Sequence, residues 1–247
     1  DLAVSASLTA INGMYEDHLY LTTLYEFLEQ PVAPRRGSIS AAAAPDRGLE
    51  IVDLSFRYPG SEQAALTDIN LSLAPGTSLA LVGENGSGKT TLTKLIAGLY
   101  RLESGDIRLH GTSLNDWDPR ALQDRIGVIF QDFARYQWRV GHNIGAGDVE
   151  AFEDPSKWRA AAEKGLADEF IGNLPKGYET QLGRWFKDGR ELSGGQWQKI
   201  ALARAFMREH ADILILDEPT AAMDAKAESE VFRHFQAMAG ERILILI

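Results

Sequence analysis

The stretch Gly83-Glu84-Asn85-Gly86-Ser87-Gly88-Lys89-Thr90 decides the fold. It fits the pattern G-x-x-x-x-G-K-[ST], in which glycines let backbone N–H groups close around phosphate oxygens and a lysine adds a full positive charge. Upstream, Ser78 to Val82 reads as a continuous apolar strand. Downstream, Thr90 to Leu99 reads as a helix, whose N-terminal N–H groups and dipole favour an anion. This strand, loop and helix context is what the pattern requires. Lys89 is suited to reach terminal phosphates and Thr90 to hold Mg²⁺ through its hydroxyl. On this stretch alone a kinase, a GTPase or another phosphate-loop enzyme stays open.

Working outward, Ile51, Leu54, Phe56 and Tyr58, then Ile69, Leu71 and Leu73, read as short strands divided by Pro59-Gly60 and ended by Pro75-Gly76. They predict an antiparallel β piece. Ile107 to Leu109, Ile126 to Phe130, Ile213 to Leu216 and Ile243 to Ile247 read as further buried strands. Helical stretches lie between them, near Ala121, from Gln196 to Arg208 and from Lys226 to Ala239. The alternation predicts an α/β fold, a parallel core sheet flanked by helices. Residues from about 132 to 195 carry little strand pattern, and runs such as Pro155 to Lys164 suit an inserted helical subdomain.

A chain of 247 residues with 45% apolar content is long enough to bury a sizeable core. Its formal net charge of −10 disfavours nucleic acid or an anionic lipid surface as a non-specific partner, because phosphate backbones reward clustered Lys and Arg. With no cysteine, disulfides and thiolate metal sites are excluded, which agrees with a reducing compartment. No run approaches the length of apolar sequence that spans a bilayer, and no signal peptide is visible. The five histidines, His18, His110, His142, His210 and His234, show no metal-ligand spacing.

Two further motifs narrow the reading. Leu192-Ser193-Gly194-Gly195-Gln196 follows the phosphate loop by about a hundred residues, and by itself reads equally as a turn with a serine helix cap. Ile213-Leu214-Ile215-Leu216-Asp217-Glu218 sets two carboxylates at the end of an apolar strand, where one can orient Mg²⁺ and the next polarise a water. With these three motifs, residues from roughly 49 to 247 resemble the nucleotide-binding domain of an ATP-binding-cassette (ABC) exporter.

The resemblance implies ATP and Mg²⁺ as ligands. Gly83, Glu84, Asn85, Gly86, Ser87, Gly88, Lys89, Thr90 and Thr91 would hold the phosphates, and Tyr58 would stack on adenine. Thr90, Gln131 and Asp217 would surround Mg²⁺. Glu218 would act as general base, with Lys89 and Gln131 assisting, and a positioned base contributes ~10²–10⁴-fold in rate. Ser193, Gly194, Gly195 and Gln196 would contact the γ-phosphate held by a second protomer, in a homodimer or heterodimer. Asp224, in Ala221-Ala222-Met223-Asp224, would communicate across that dimer, although Met223 stands where leucine is usual. Thr180-Gln181-Leu182-Gly183-Arg184 resembles the motif by which exporters touch their membrane domain, but Arg184 replaces an acidic residue and Trp185 to Gly189 is unusual. Trp197, where a charged residue is common, is a further departure.

The N-terminal part adds context. Val4, Leu8, Ile11 and Tyr15, then Leu21, Leu24 and Leu28, recur at helical steps, so residues 1–30 read as helix and 31–48, rich in Pro, Gly and Ala, as a linker. By resemblance, the helix is the cytoplasmic extension of the last membrane helix, joined to a transmembrane domain of the same parent chain at the cytoplasmic face of the cell membrane. The family also carries a histidine shortly after the strand that Ile243 to Ile247 resembles; the sequence stops before it, from which slow turnover of Mg·ATP is expected. Rival readings are a soluble ABC ATPase acting on ribosomes or DNA, the detached ATPase subunit of an importer, and a non-catalytic binding module.

Overall fold

Residues 2–30, 37–41, 44–219 and 225–247 are described by the computed structural model. They fall into two units, Asp1–Arg35 and Arg36–Ile247. The first contains one helix, α1 (Leu2–Leu28). Its apolar residues are exposed: Val4, Leu8, Ile11 and Tyr15 keep between 60% and 63% of their surface. Among the described residues no helix is long and apolar enough to cross a membrane. In the second unit, part of the stretch expected as linker is tied down, with Ile39 bridged to Trp117 and Ala44 N–H donating to His110 O.

The second unit is built on two sheets. One is parallel, with strands β3 (Ser78–Ala80), β6 (Ile126–Ile129), β7 (Ile213–Leu216) and β8 (Ile243–Leu246) in the order β3-β8-β7-β6. The other is antiparallel, with β1 (Leu49–Phe56), β2 (Leu66–Leu73), β4 (Ser104–Leu109) and β5 (Thr112–Ser113) in the order β2-β1-β4-β5. Successive strand residues point to opposite faces. In β7, Ile213 and Ile215 join one apolar cluster with the antiparallel sheet and α2 (Lys89–Ile96), while Leu214 and Leu216 join another with the helical part. All four are fully buried. That is why β7 reads as an unbroken apolar run, with each side chain contributing roughly 1.5–3 kcal/mol of burial.

Three expectations are corrected. Ile107 to Leu109 belongs to β4, which pairs antiparallel with β1, and not to the parallel core; an apolar run announces burial without naming its partner strand. The strand entering the phosphate loop ends at Ala80, although Leu81 N–H still donates to Leu246 O, and Val82 is 92% exposed. The following helix ends at Ile96 and not Leu99, because Gly98 takes a left-handed φ of 70° and turns the chain, with its N–H on Leu95 O.

The helical part comprises α4 (Val140–Gly145), α5 (Pro155–Lys164), α6 (Asp168–Gly172) and α7 (Gly194–Phe206), with the short α3 (Pro119–Asp124) preceding β6 and α8 (Ala225–Ala239) following β7. Helix α5 starts where Asp154 accepts the N–H groups of Ser156 and Lys157 and Pro155 presets the first turn. Trp158, Trp197 and Phe206 fill the interior between α5 and α7.

Candidate functional site

The phosphate loop follows β3 and delivers α2, and its shape depends on glycine at the last step. Gly88 has φ 95°, and a Cβ there would lie 2.6 Å from Leu66 and 3.0 Å from Ala65 O. Lys89 folds back into this loop: its Nζ donates to Gly83 O at 2.7 Å, Glu84 O at 2.9 Å and Ser87 Oγ at 3.4 Å. The ammonium thus lies among the residues that would meet an anion.

A cavity of about 410 Å³ opens beside the loop. Asn85, Gly86, Gly88, Lys89, Thr90 and Thr91 form one wall, Tyr58, Ser61, Gln63, Ala64 and Ala65 another, and Gln131, Asp217, Glu218 and Ile247 the floor. Gln131, Asp217 and Ile247 are there because each lies just past the end of a parallel strand, β6, β7 and β8 respectively. In open α/β sheets ligands bind at the carboxyl ends of the strands. Tyr58 Oη lies 3.1 Å from Thr91 Oγ1, and its ring meets Phe56 and Tyr100 edge-on, with centroids 5.1 and 5.3 Å away. This fixes the tyrosine at the cavity wall.

At the floor, Asp217 is 6% exposed and its Oδ2 is buried without a hydrogen-bond partner. Burial first, and the neighbouring charge of Glu218 second, raise its carboxyl above the usual range. An unpartnered carboxylate oxygen on a residue lining the same cavity as Thr90 suits a hard divalent cation such as Mg²⁺, which prefers oxygen ligands. Glu218 is held at three points. Its Oε2 accepts from Gln131 Nε2 at 2.6 Å, its N–H donates to Ile247 O at 3.1 Å, and its carbonyl accepts from Gln198 Nε2 at 2.6 Å. These bonds offset a left-handed φ of 49°, which costs a non-glycine residue roughly 1–2 kcal/mol.

The second motif lies apart from this cavity. Ser193 caps α7 by accepting Gln196 N–H, while the Gln196 side chain accepts Ser193 N–H, a reciprocal capping box. Ser193, Gly194 and Gly195 are exposed, so the helix tip presents free N–H groups to solvent.

The structure therefore brings together Tyr58, Asn85, Gly86, Gly88, Lys89, Thr90, Thr91, Gln131, Asp217 and Glu218. Gly83, Glu84 and Ser87 hold Lys89 instead of lining the cavity. Ser193, Gly194 and Gly195 are exposed and Gln196 is half-buried, none of them lining this cavity, and Asp224 lies outside the described residues. Sequence reading missed Gln198, which carries no motif of its own, and Tyr100, which only the fold brings to Tyr58. Trp197 finds its explanation in burial, at 2% exposure within the helical cluster. Arg184 pairs with Glu191 at 3.6 Å, leaving Trp185 88% exposed.

A family profile described as ABC transporter matches residues 66–221. The subtilin transport ATP-binding protein SpaT of Bacillus subtilis is 40% identical over 240 residues, which are 97% of this chain and 39% of SpaT. An ATP-dependent lipid A-core flippase of Aromatoleum aromaticum is 39% identical over 215 residues, 87% of this chain and 34% of the flippase. The structure of a bacterial Atm1-family ABC exporter with ATP bound superposes with a TM-score of 0.78 at 26% identity, over 94% of this chain and 40% of the exporter chain. The chain thus spans about two fifths or less of the length of these proteins.

Proposed function

This chain belongs to the ABC transporter family, and we propose that it is the ATP-hydrolysing motor of an exporter, in which two nucleotide-binding domains clasp Mg·ATP between them. The observation that carries the reading is the convergence of the phosphate loop, Gln131, Asp217 and Glu218 on one cavity, with a separate exposed helix tip capped by Ser193.

Each triphosphate is gripped by the N–H groups of the Gly83 to Thr90 loop and by Lys89, which leaves its carbonyl partners for the phosphates. Adenine stacks on Tyr58. Thr90, Asp217 and Gln131 are the residues that would hold Mg²⁺, which would supply charge neutralisation for phosphoryl transfer. The carboxylate of Glu218, aligned by its bond from Gln131, accepts the proton of the attacking water. Ser193 and the free N–H groups of α7 complete the site of the partner copy, so ATP joins two chains and its hydrolysis releases them. The names of the relatives, a transport protein, a flippase and an exporter, support export over import. On this reading the motor lies at the cytoplasmic face of a membrane, α1 is the extension of a membrane helix, and a transmembrane domain is its partner.

Glu218→Gln retains the size and hydrogen-bonding shape of the side chain but removes the base. With saturating Mg·ATP this variant is expected to elute as a dimer in gel filtration and as a monomer without nucleotide. A variant that stays monomeric with ATP bound overturns the paired mechanism.

A further inference from the structure

Glu218 takes a backbone conformation that few non-glycine residues adopt, and something must hold it there. Its carbonyl accepts a hydrogen bond of 2.6 Å from Gln198 Nε2, half-buried on α7. Gln198 lies five residues beyond the Ser193 cap, about 7–8 Å along the helix axis. One rigid helix therefore carries both the exposed tip and the amide that holds Glu218. The far end of α7 is anchored too: Arg204 Nε and Nη2 donate to Asn143 O and Oδ1 at 2.7 and 2.9 Å, and Nη1 to Ala134 O at 2.7 Å. Burial pulls its pKa down to about 10, so it stays charged at neutral pH. Its contact at Ala134 reaches the segment that begins at Gln131, the second residue bonded to Glu218.

We propose that Gln198 is a positioning residue for Glu218. By holding the carbonyl it keeps the backbone left-handed and the carboxylate aimed at the cavity, and any displacement of α7 is felt at that carboxylate. Resting on the paired reading above, contact of the α7 tip with a partner's nucleotide adjusts the base in the tip's own chain, so the two sites of a pair sense each other through this amide.

Gln198→Met keeps the length and removes the donor; Gln198→Glu keeps the shape and sets an acceptor against the carbonyl. Both are examined by single-turnover hydrolysis, with the chain in excess over Mg·ATP, and by titration with a fluorescent ATP analogue. Hydrolysis is expected to slow by roughly 10- to 10²-fold, the cost of a small misplacement of a reacting group, with nucleotide affinity unchanged. In a Glu218→Gln background the slow residual hydrolysis is expected to show no further loss, because Gln198 acts through the carboxylate that is already gone. A full rate in Gln198→Met overturns the inference, as does a loss of affinity or an equal slowing in the Glu218→Gln background. Should Gln198→Met fail to fold, Gln198→Asn, one methylene too short for the bond, is read by the same criteria. Absence of an ATP-dependent dimer in Glu218→Gln sinks the paired reading alone; the rate of the Gln198 variants still decides whether the amide positions the base.

Discussion

Lys89 holds its ammonium inside its own loop through Gly83 O, Glu84 O and Ser87 Oγ, so an entering phosphate must replace those bonds with stronger, charge-assisted ones. Hydrogen bonds to charged groups are worth about 1.5–3 kcal/mol. Lys89→Ala is therefore expected to weaken ATP binding by roughly 10- to 10²-fold, measured by titration with a fluorescent analogue; unaltered affinity would mean that the lysine never leaves its resting position. The loop was legible because backbone chemistry dictates its residues in sequence order. Gln198 was not, since a glutamine on a largely buried helix has no local signature and its partner lies 20 residues away in the chain. Tyr58 stands between these cases. The family resemblance suggested it as a platform for adenine, but Phe56 and Tyr100, which fix its orientation, come together only through the fold.

At the scale of elements, α7 would on the proposed reading serve two purposes at its first turn, cap and pairing tip, and substitution separates them. As an N-cap, Ser193 is worth about 1 kcal/mol over alanine, whereas glycine loses only a few tenths. Ser193→Ala is expected to lower the melting temperature by roughly 2–4 °C and Ser193→Gly by clearly less, in thermal unfolding followed by circular dichroism. Both variants remove the hydroxyl and are expected to weaken the ATP-dependent pairing of Glu218→Gln chains to the same extent. If pairing instead follows the melting temperature, the serine acts only as a cap. Element ends were read well where a side chain marks them, as Asp154-Pro155 does for α5. They were overrun where a glycine reverses the chain, as Gly98 does after α2, because the apolar rhythm of Leu92, Leu95 and Ile96 runs on into Leu99.

Across the molecule, neither apolar cluster contains a described residue before Leu49. A chain lacking residues 1–35 is accordingly expected to unfold cooperatively at nearly the same temperature and to bind ATP as before; a large drop in calorimetric melting temperature would assign α1 a share in the core. The sheets were legible as buried strands but not as pairings: β4 has the same apolar look as β7, and only long-range contact allots one to an antiparallel sheet and the other to the parallel one. That parallel sheet has a metric consequence. Neighbouring strands sit about 4.8 Å apart, so the order β3-β8-β7-β6 sets the strand that feeds the phosphate loop roughly 14 Å from the one that leads to Gln131. The interval is graduated by peptide groups alone, a scale that substitution of side chains cannot erase. Loops at its rim can vary in sequence while the span between the two strand mouths stays constant.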